Sequence, residues 1–118
     1  MGNDVGKIYE RPWGTYQTLM LEPGFQVKLL VVNPKGQLSL QRHFRRAEHW
    51  TVVAGEPTLT VGDKGKVYQV DDHAYIPVET LHRIENFTGE IVKIIEVQVG
   101  DYLGEDDIER IEDIYHRA

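Results

Sequence analysis

Short apolar segments alternate with turn-forming residues along most of the chain. Eight segments are rich in Val, Ile, Leu, Thr and Tyr: TYQTLML, FQVKLLVV, HWTVVA, TLTV, KVYQV, AYI, HRIENF and EIVKIIEVQV. The sequence GDKG between TLTV and KVYQV is typical of a hairpin turn, because its glycines can take positive φ. Many short strands, with a turn signal every eight to twelve residues or so, predict an all-β sandwich or barrel.

The C-terminal segment GEDDIERIEDIYHRA has a different pattern. Its apolar residues Ile108, Ile111, Ile114 and Tyr115 recur at helical spacing. Acidic residues at the front of the segment and Arg117 near its end match the charges that a helix dipole favours. The segment therefore predicts one short amphipathic helix packed on the barrel. Its carboxylates are interpreted as a solvated helix face in preference to a metal site.

Composition narrows the class of protein. A length of 118 residues predicts one domain spanning residues 1–118. The net charge of −6 argues against a nucleic-acid partner, since phosphate backbones select for excess Lys and Arg. The longest apolar runs, such as LLVV, are too short to span a bilayer, and MGNDVGKIYE is unlike a signal peptide. We therefore expect a cytoplasmic protein with no membrane partner. Cysteine is absent, so any metal must have N and O ligands.

Potential metal ligands gather in two segments, QRHFRRAEHW and PVETLHRIEN. Residues two apart in a strand point to the same side, so Gln41 and His43 are expected to face one interior. Glu48 can return beside them after a tight turn, and His82 can join them from a distant strand. Two imidazoles, one carboxylate and one amide oxygen suit Zn²⁺, Fe²⁺, Mn²⁺ or Ni²⁺ and leave coordination positions open for water or substrate.

The spacing of these residues resembles the paired motifs of the cupin superfamily. The matching residues are Gly36, Gln41, His43, Glu48 and Gly55 in the first motif and Pro77, His82 and Asn86 in the second. The resemblance implies a cupin double-stranded β-helix, which is a jelly-roll barrel. Asp71 and Glu79 stand where the second motif usually has glycine. The departure at Glu79 weakens the turn chemistry but not the ligation, because neither position supplies a ligand.

A narrower resemblance covers nearly the whole chain. RPWG, LSLQ, RAEHW, HRIEN, EVQ and YLGEDDI are similar to the C-terminal cupin domain of type II mannose-6-phosphate isomerases, a domain often fused behind a mannose-1-phosphate guanylyltransferase. Arg42, Phe44 and Arg45 stand where that family usually has a His-rich run, which adds positive charge near the site entrance. These 118 residues contain no Gly-rich phosphate loop, so guanylyl transfer is not expected.

The narrower resemblance implies a metal-dependent isomerase that interconverts mannose 6-phosphate and fructose 6-phosphate through an enediolate. One divalent metal would be bound by Gln41, His43, Glu48 and His82 and would polarise a sugar oxygen. Zn²⁺ is the first choice, with Mn, Fe, Ni or Co as alternatives. By analogy with other cupins, which commonly pair through edge strands, a homodimer is expected.

Polar residues on the inward faces of two strands are candidates for contact with a sugar phosphate. Alternation places Lys28 in FQVKLLVV and Glu96 with Gln98 in IIEVQVG on faces opposite their apolar neighbours. We predict Lys28 and Glu96 as acid–base groups and Arg83, next to a ligand, as a third catalytic group that stabilises an oxyanion or phosphate. Arg46 and Gln98 are predicted to bind substrate.

Simpler explanations remain open at several of these positions. The amide of Gln41 can satisfy backbone groups, and Lys28 can be an ordinary surface lysine. Arg45 and Arg46 can be charges on the rim of the site, and alternation turns His49 away from the interior. Two other functions also fit the motifs: a non-catalytic sugar-binding or regulatory cupin module, and a different metal-dependent cupin enzyme such as a dioxygenase.

Overall fold

The computed structural model describes residues 3–114, which form eleven strands and no α-helix. The strands are β1 (Ile8–Arg11), β2 (Gly14–Glu22), β3 (Phe25–Val32), β4 (Leu40–Arg42), β5 (Arg46–Ala54), β6 (Thr58–Val61), β7 (Lys64–Val67), β8 (His73–Ile76), β9 (His82–Glu85), β10 (Val92–Gly100) and β11 (Glu109–Glu112). Seven of the eight predicted segments contain a strand over most or all of their length, and the eighth, KVYQV, is strand only at Lys66 and Val67. Within the described residues, no helix is long and apolar enough to cross a membrane.

The strands form two antiparallel sheets. The first sheet has six strands in the order β1-β2-β3-β10-β5-β8, and the second has five in the order β11-β4-β9-β6-β7. Several strands that are neighbours in a sheet are far apart in the chain, as in a jelly roll: β10 lies between β3 and β5, and β9 lies between β4 and β6. The all-β prediction is therefore confirmed.

The inward-facing side chains of β3, β5 and β10 change from polar to apolar halfway along each strand. Because these strands are antiparallel neighbours, polar residues lie opposite polar residues and apolar residues opposite apolar ones. Glu96 lies opposite Lys28, and Ile94 lies opposite Leu30. The apolar half of the interior contains Leu30, Val32, Trp50, Val52, Val92 and Ile94. The polar half contains Gln26, Lys28, Arg46, Glu48, Glu96 and Gln98.

Turn geometry follows the sequence at two places. The predicted hairpin is confirmed: β6 and β7 pair with Val61 opposite Lys64, and Gly62 has a φ of 65°. Glu79, which replaces a glycine of the cupin motif, has a φ of 66° and so occupies the left-handed region that glycine favours. Its backbone N–H donates to the carbonyl oxygen of His43 at 2.7 Å. This turn is therefore attached to the segment that carries a candidate ligand.

The predicted C-terminal helix is wrong for the described part of the tail. Residues 109–112 form β11, which pairs with β4 at the edge of the second sheet, with Glu109 opposite Arg42. The Arg42 Nε donates to Glu109 Oε1 at 2.6 Å. Pairing satisfies backbone groups that β4 would otherwise leave open at a sheet edge, and this non-local gain outweighs the local helical pattern. Residues 115–118 lie outside the described part of the chain.

Candidate functional site

Three of the four predicted metal ligands come together inside the barrel. His43 follows β4, Glu48 lies on β5, and His82 opens β9. Each offers one ligand atom, and these atoms lie within 4.8 Å of one another. All three side chains are buried, with 4% or less of their surface exposed. Distant segments of the chain thus present two imidazoles and a carboxylate to one point, and this cluster could hold a metal ion.

Hydrogen bonds orient both imidazoles with Nε2 toward the centre of the cluster. His43 Nδ1 lies 2.6 Å from the carbonyl oxygen of Asp107, and His82 Nδ1 lies 2.9 Å from that of Thr80. A carbonyl oxygen only accepts, so each Nδ1 carries the proton and each Nε2 keeps a lone pair. His82 Nε2 is buried and has no hydrogen-bond partner among residues 3–114. An oriented, unpaired imidazole nitrogen fits a metal ligand.

The carboxylate of Glu48 is fixed by two donors. Arg46 Nε donates to Oε2 at 2.9 Å, and Trp50 Nε1 donates to Oε1 at 3.1 Å. His43 Nε2 lies 3.2 Å from the same Oε2. Burial, followed by the charge of Arg46 and the proximity of His82, lowers the pKa of His43 to about 3. At neutral pH this imidazole is therefore uncharged, which is the form that binds a metal.

Gln41, the fourth predicted ligand, lies on β4 directly opposite His82 in the strand pairing. Its side chain lines the cavity next to the cluster. The Oε1 atom accepts a hydrogen bond from Ser39 Oγ at 3.2 Å. Since a carbonyl oxygen has two lone pairs, this contact leaves one for a further partner. Metal ligation by Gln41 stays a prediction.

The cluster opens into a cavity of about 280 Å³ in the polar half of the barrel. The polar residues and the tyrosine that line it include Arg11, Tyr16, Lys28, Gln41, His43, Arg46, Glu48, Glu96, Gln98, Glu105 and Arg110. Polar residues from both sheets therefore face the same space. The predicted acid–base and substrate-binding residues Lys28, Glu96, Arg46 and Gln98 all line it.

Two of these cavity residues are held by specific partners. Lys28 is 3% exposed, its Nζ lies 2.7 Å from Glu105 Oε2, and it stands 4.4 Å from the ring centre of Tyr16. Gln98 accepts from Gln26 Nε2 at 2.8 Å and donates to the carboxylate of Glu96. Burial, and next the charge of Glu48, raise the pKa of Glu96. Lys28 is therefore a buried cation in a cavity wall, not a surface lysine.

Two arginines considered as site residues, Arg83 and Arg45, lie outside the cavity. The structure does not bring Arg83 to the cavity: its NH1 donates to Glu112 Oε1 at 2.8 Å and its Nε to the carbonyl oxygen of Leu38 at 3.2 Å. Alternation along β9 explains this, because the neighbour of an inward His82 points outward. Arg45 is exposed and pairs with Asp101 at 3.1 Å, so it is a surface charge.

Two acidic residues of the tail reach the site, although the sequence interpretation assigned them to a solvated helix face. Glu105 pairs with Lys28, as described above. The backbone oxygen of Asp107 binds His43, and its carboxylate accepts from the backbone N–H groups of Phe44 at 2.9 Å and Arg45 at 3.0 Å. The predicted inward position of Lys28 was the one sequence signal for such a contact, because a lysine buried inside a barrel requires a partner of opposite charge.

Two face-to-face antiparallel sheets around an inward His–Glu–His cluster define a cupin double-stranded β-helix. Solved structures of this fold superpose well on the chain. The oxalate decarboxylase of Lactobacillus farciminis aligns with a TM-score of 0.76 at 18% identity and covers 89% of this chain and 33% of its own. The capsular polysaccharide assembling protein CapF of Staphylococcus aureus aligns with a TM-score of 0.74 at 20% identity, over 90% of this chain and 32% of its own. At these identities the likeness shows the fold alone.

The chain belongs to the family described as mannose-6-phosphate isomerase C-terminal, whose model matches residues 3–113. The alginate biosynthesis protein AlgA of Pseudomonas aeruginosa is 50% identical over 109 residues, which cover 92% of this chain and 22% of that protein. The xanthan biosynthesis protein XanB of Xanthomonas campestris is 47% identical over 112 residues, or 95% of this chain and 24% of that protein. A mannose-1-phosphate guanylyltransferase of Sinorhizobium fredii is 42% identical over 103 residues, or 87% of this chain and 20% of that protein.

These relatives correct the predicted function. The chain spans only about a fifth to a quarter of their length, and the names they carry refer to alginate or xanthan biosynthesis or to guanylyl transfer. A domain of this family thus occurs in proteins named for polysaccharide biosynthesis or for guanylyl transfer, and none of these three names refers to isomerisation. The prediction that this chain is a mannose-6-phosphate isomerase is therefore wrong. The catalytic roles of Lys28, Arg83 and Glu96 depended on that reaction and are withdrawn with it.

Proposed function

We propose that the chain is a metal-binding cupin module that holds a phosphorylated sugar in the polar half of its barrel without converting it. One observation carries the proposal: the cavity lined by His43 and Glu48 of the metal-ligand cluster is also lined by two nearly buried cations, Lys28 and Arg46. A metal ion polarises and orients hydroxyl oxygens, and buried cations suit a phosphate. Together these groups match the two ends of a sugar phosphate.

Zn²⁺ is the metal that we propose first. Two imidazoles and one carboxylate form a three-ligand set typical of zinc sites that keep an open position. The same N and O ligands also accept Mn, Fe, Co or Ni. Gln41, on the cavity wall, would add an amide oxygen as a further donor.

The charges of the cavity support an anionic ligand. Its lining includes the cations Arg11, Lys28, Arg46 and Arg110 and the carboxylates Glu48, Glu96 and Glu105. A bound divalent metal would compensate Glu48, and the raised pKa of Glu96 favours its neutral form. Both effects leave positive charge in excess, which a phosphate can balance.

The size of the cavity favours a compact ligand. Its volume of about 280 Å³ lies just below the usual range of small-molecule pockets, roughly 300–1,000 Å³. A monosaccharide phosphate therefore fits the site better than a nucleotide sugar. The names of the relatives, alginate and xanthan biosynthesis proteins and a mannose-1-phosphate guanylyltransferase, lead us to propose a mannose phosphate and a role in polysaccharide biosynthesis.

Calorimetric titration tests the proposal directly. The zinc-loaded chain is titrated with mannose 6-phosphate and mannose 1-phosphate, and separately with mannose and inorganic phosphate. We expect at least one sugar phosphate to bind more tightly than either fragment, and chelation of the metal to weaken it. NMR spectra of the recovered ligand should show the same sugar phosphate that was added. Equal binding of inorganic phosphate, or no binding of any sugar phosphate, would contradict the proposal.

The variant Lys28→Met separates specific binding from general charge. It keeps the apolar stem of the side chain but removes a charged contact worth about 1.5–3 kcal/mol, so sugar-phosphate affinity should fall roughly tenfold or more. Lys93→Met is the matched control, because Lys93 lies exposed on the outer face of β10. Glu105 is partly exposed and can rehydrate when Lys28 is removed, so the fold should persist. An equal effect of the two variants would remove Lys28 from the site.

Several expectations from the sequence stay predictions. A cytoplasmic location, one domain over residues 1–118, a homodimer and the absence of nucleic-acid or membrane partners belong to this proposal. Sedimentation of the purified chain would measure the oligomeric state.

A further inference from the structure

The guanidinium of Arg46 occupies a position between the candidate metal ligands. Its Nε lies 2.9 Å from Glu48 Oε2, and its NH2 lies 3.2 Å from His43 Nε2. The side chain is only 6% exposed. Two of the three residues that could hold a metal are thus already in contact with a positive group that belongs to the chain itself.

A metal ion and Arg46 require the same lone pair. His43 Nδ1 carries the proton because it faces the carbonyl oxygen of Asp107 at 2.6 Å. The Nε2 atom then has a single lone pair in the plane of the ring, and Arg46 NH2, which can only donate, uses it. A metal that binds His43 through Nε2 must therefore displace this hydrogen bond, and charge repulsion acts in the same direction.

A displaced guanidinium has a defined direction in which to move. Its third nitrogen, NH1, has no hydrogen-bond partner among the described residues and lies 3.8 Å from Glu105 Oε2, the atom that Lys28 contacts at 2.7 Å. Arg46 and Lys28 both line the cavity. Movement away from Glu48 and His43 therefore brings Arg46 toward Lys28 and creates a paired cationic site for an anion.

We propose that Arg46 couples the two ligands of the site: metal binding releases its guanidinium from His43 and Glu48, and the released group binds the anionic ligand. The inference rests on the proposed function for the identity of the anion, a sugar phosphate. Coupling of this kind is reciprocal, so the metal raises anion affinity by the same factor by which the anion raises metal affinity. Typical coupling free energies correspond to roughly 5–150-fold, and we expect a factor of about ten.

The experiment measures Co²⁺ binding by its visible absorption spectrum, with and without saturating mannose 6-phosphate, and the reciprocal titration by calorimetry. Wild-type protein should show about a tenfold gain in each direction. In Arg46→Met, Co²⁺ should bind more tightly than in wild type when the sugar phosphate is absent, because the competing cation is gone. The coupling factor of this variant should fall to about one.

The opposite results overturn the proposal. If Arg46 only holds Glu48 in place, Arg46→Met binds Co²⁺ more weakly; if another group couples the ligands, the factor persists. Arg45→Met, which removes an exposed arginine, is the matched control and should change neither quantity. Should no sugar phosphate bind to wild type, the proposed function fails, yet the comparison of Co²⁺ affinities still decides whether Arg46 competes with the metal.

A measurement on wild-type protein covers the case in which Arg46→Met does not fold. The Nε–H group of Arg46 donates to a buried carboxylate, so its proton should exchange slowly with solvent in the metal-free protein. Zn²⁺ should shift this NMR signal and speed its exchange. A signal that keeps its position and its protection in the zinc-loaded protein would show that Arg46 is not displaced.

Discussion

The apolar and polar halves of the barrel interior are equally buried but are held together differently. Val92 and Ile94 in the apolar half and Gln26 and Gln98 in the polar half all have 0% of their surface exposed. Apolar side chains need only close packing to be stable there, whereas each polar group must find a partner or be destabilising. We infer that the apolar half contributes most of the stability, and that the polar half is retained for its chemistry.

Hydrogen bonding in the polar half is extensive but incomplete. A buried chain runs from Thr18 Oγ1 to Gln26 at 2.8 Å, on to Gln98 at 2.8 Å and then to Glu96. Next to this chain, His82 Nε2 and Arg46 NH1 are buried without hydrogen-bond partners within residues 3–114. These two unpaired atoms lie at the candidate metal site and its cavity. Incomplete hydrogen bonding there is typical of a site that binds a ligand.

Substitution of Ile94 should produce the largest effect on stability. Ile94→Ala removes fully buried methyl and methylene groups from the apolar half, so the free energy of unfolding should fall by about 2–5 kcal/mol. Urea titration measures this change. Zinc affinity of the folded variant should stay within about twofold of wild type, because Ile94 lies opposite Leu30 and Val52 and not opposite a residue of the metal cluster. Ile95→Ala, on the partly exposed outer face of β10, is the control and should cost less.

A parallel loss of stability and zinc affinity in Ile94→Ala would show that the two halves are not separable. In that case the apolar residues would be positioning the ligands as well as packing the core.

Acid should destabilise the metal-free protein through the polar half. The pKa of His43 is lowered from 6.5 to about 3 by burial, so the unfolded state binds more protons than the folded state between these values. Stability from this group is fully present above pH 6.5 and falls as the pH decreases. Between pH 6.5 and about pH 5 the expected loss is about 2 kcal/mol, or 1.4 kcal/mol per pH unit.

The pH effect of His43 requires a difference measurement. The raised pKa of Glu96 acts in the opposite direction, because a folded state that keeps a proton loses stability as the pH rises. Denaturant titrations of wild type and His43→Gln at each pH, in the presence of a chelator, isolate the contribution of His43. An identical pH dependence in the two proteins would mean that His43 is protonated as easily when folded as when unfolded.

The sequence predicts β2, β3, β5, β6, β8, β9 and β10 and part of β7, because these strands follow local patterns. Alternation along β3 and β10 also places Lys28, Glu96 and Gln98 inside, as found. The same rule applied to β5 puts Arg46 on the same face as Glu48 and Trp50, which favours its predicted place in the cavity over the alternative of a rim charge. The same alternation argues against Arg83 as a residue of the site. Arg83 directly follows His82 in β9, so its side chain points to the opposite face of the strand.

The tail could not be predicted from local sequence. The spacing of Ile108, Ile111 and Ile114 fits a helix, and nothing in the segment reveals that β4 presents a sheet edge on which residues 109–112 can pair. The contacts of Glu105 with Lys28 and of Asp107 with His43 join residues far apart in sequence. Non-local pairing of this kind overrides helix propensity, and it brings two unpredicted residues to the polar half.

The smallest effect is expected from the turn that adjoins the polar half. Glu79 has a φ of 66°, where a side chain costs about 1–2 kcal/mol and glycine costs nothing. Glycine also makes the unfolded chain more flexible, which offsets about 0.5–1 kcal/mol, so Glu79→Gly should raise the free energy of unfolding by about 0.5–1 kcal/mol. Glu56→Gly, in an exposed loop without positive φ, is the control and should lower it.

Zinc affinity of Glu79→Gly decides whether the strain in this turn serves the site. The backbone N–H of Glu79 donates to the carbonyl oxygen of His43, so the turn could fix the position of this ligand. We expect zinc affinity within about twofold of wild type, because glycine keeps the same N–H and the same backbone conformation. A gain in stability with a clear loss of zinc affinity would instead mean that the polar half depends on backbone strain at Glu79. The candidate metal site would then lower the stability of this turn as well as that of the barrel interior.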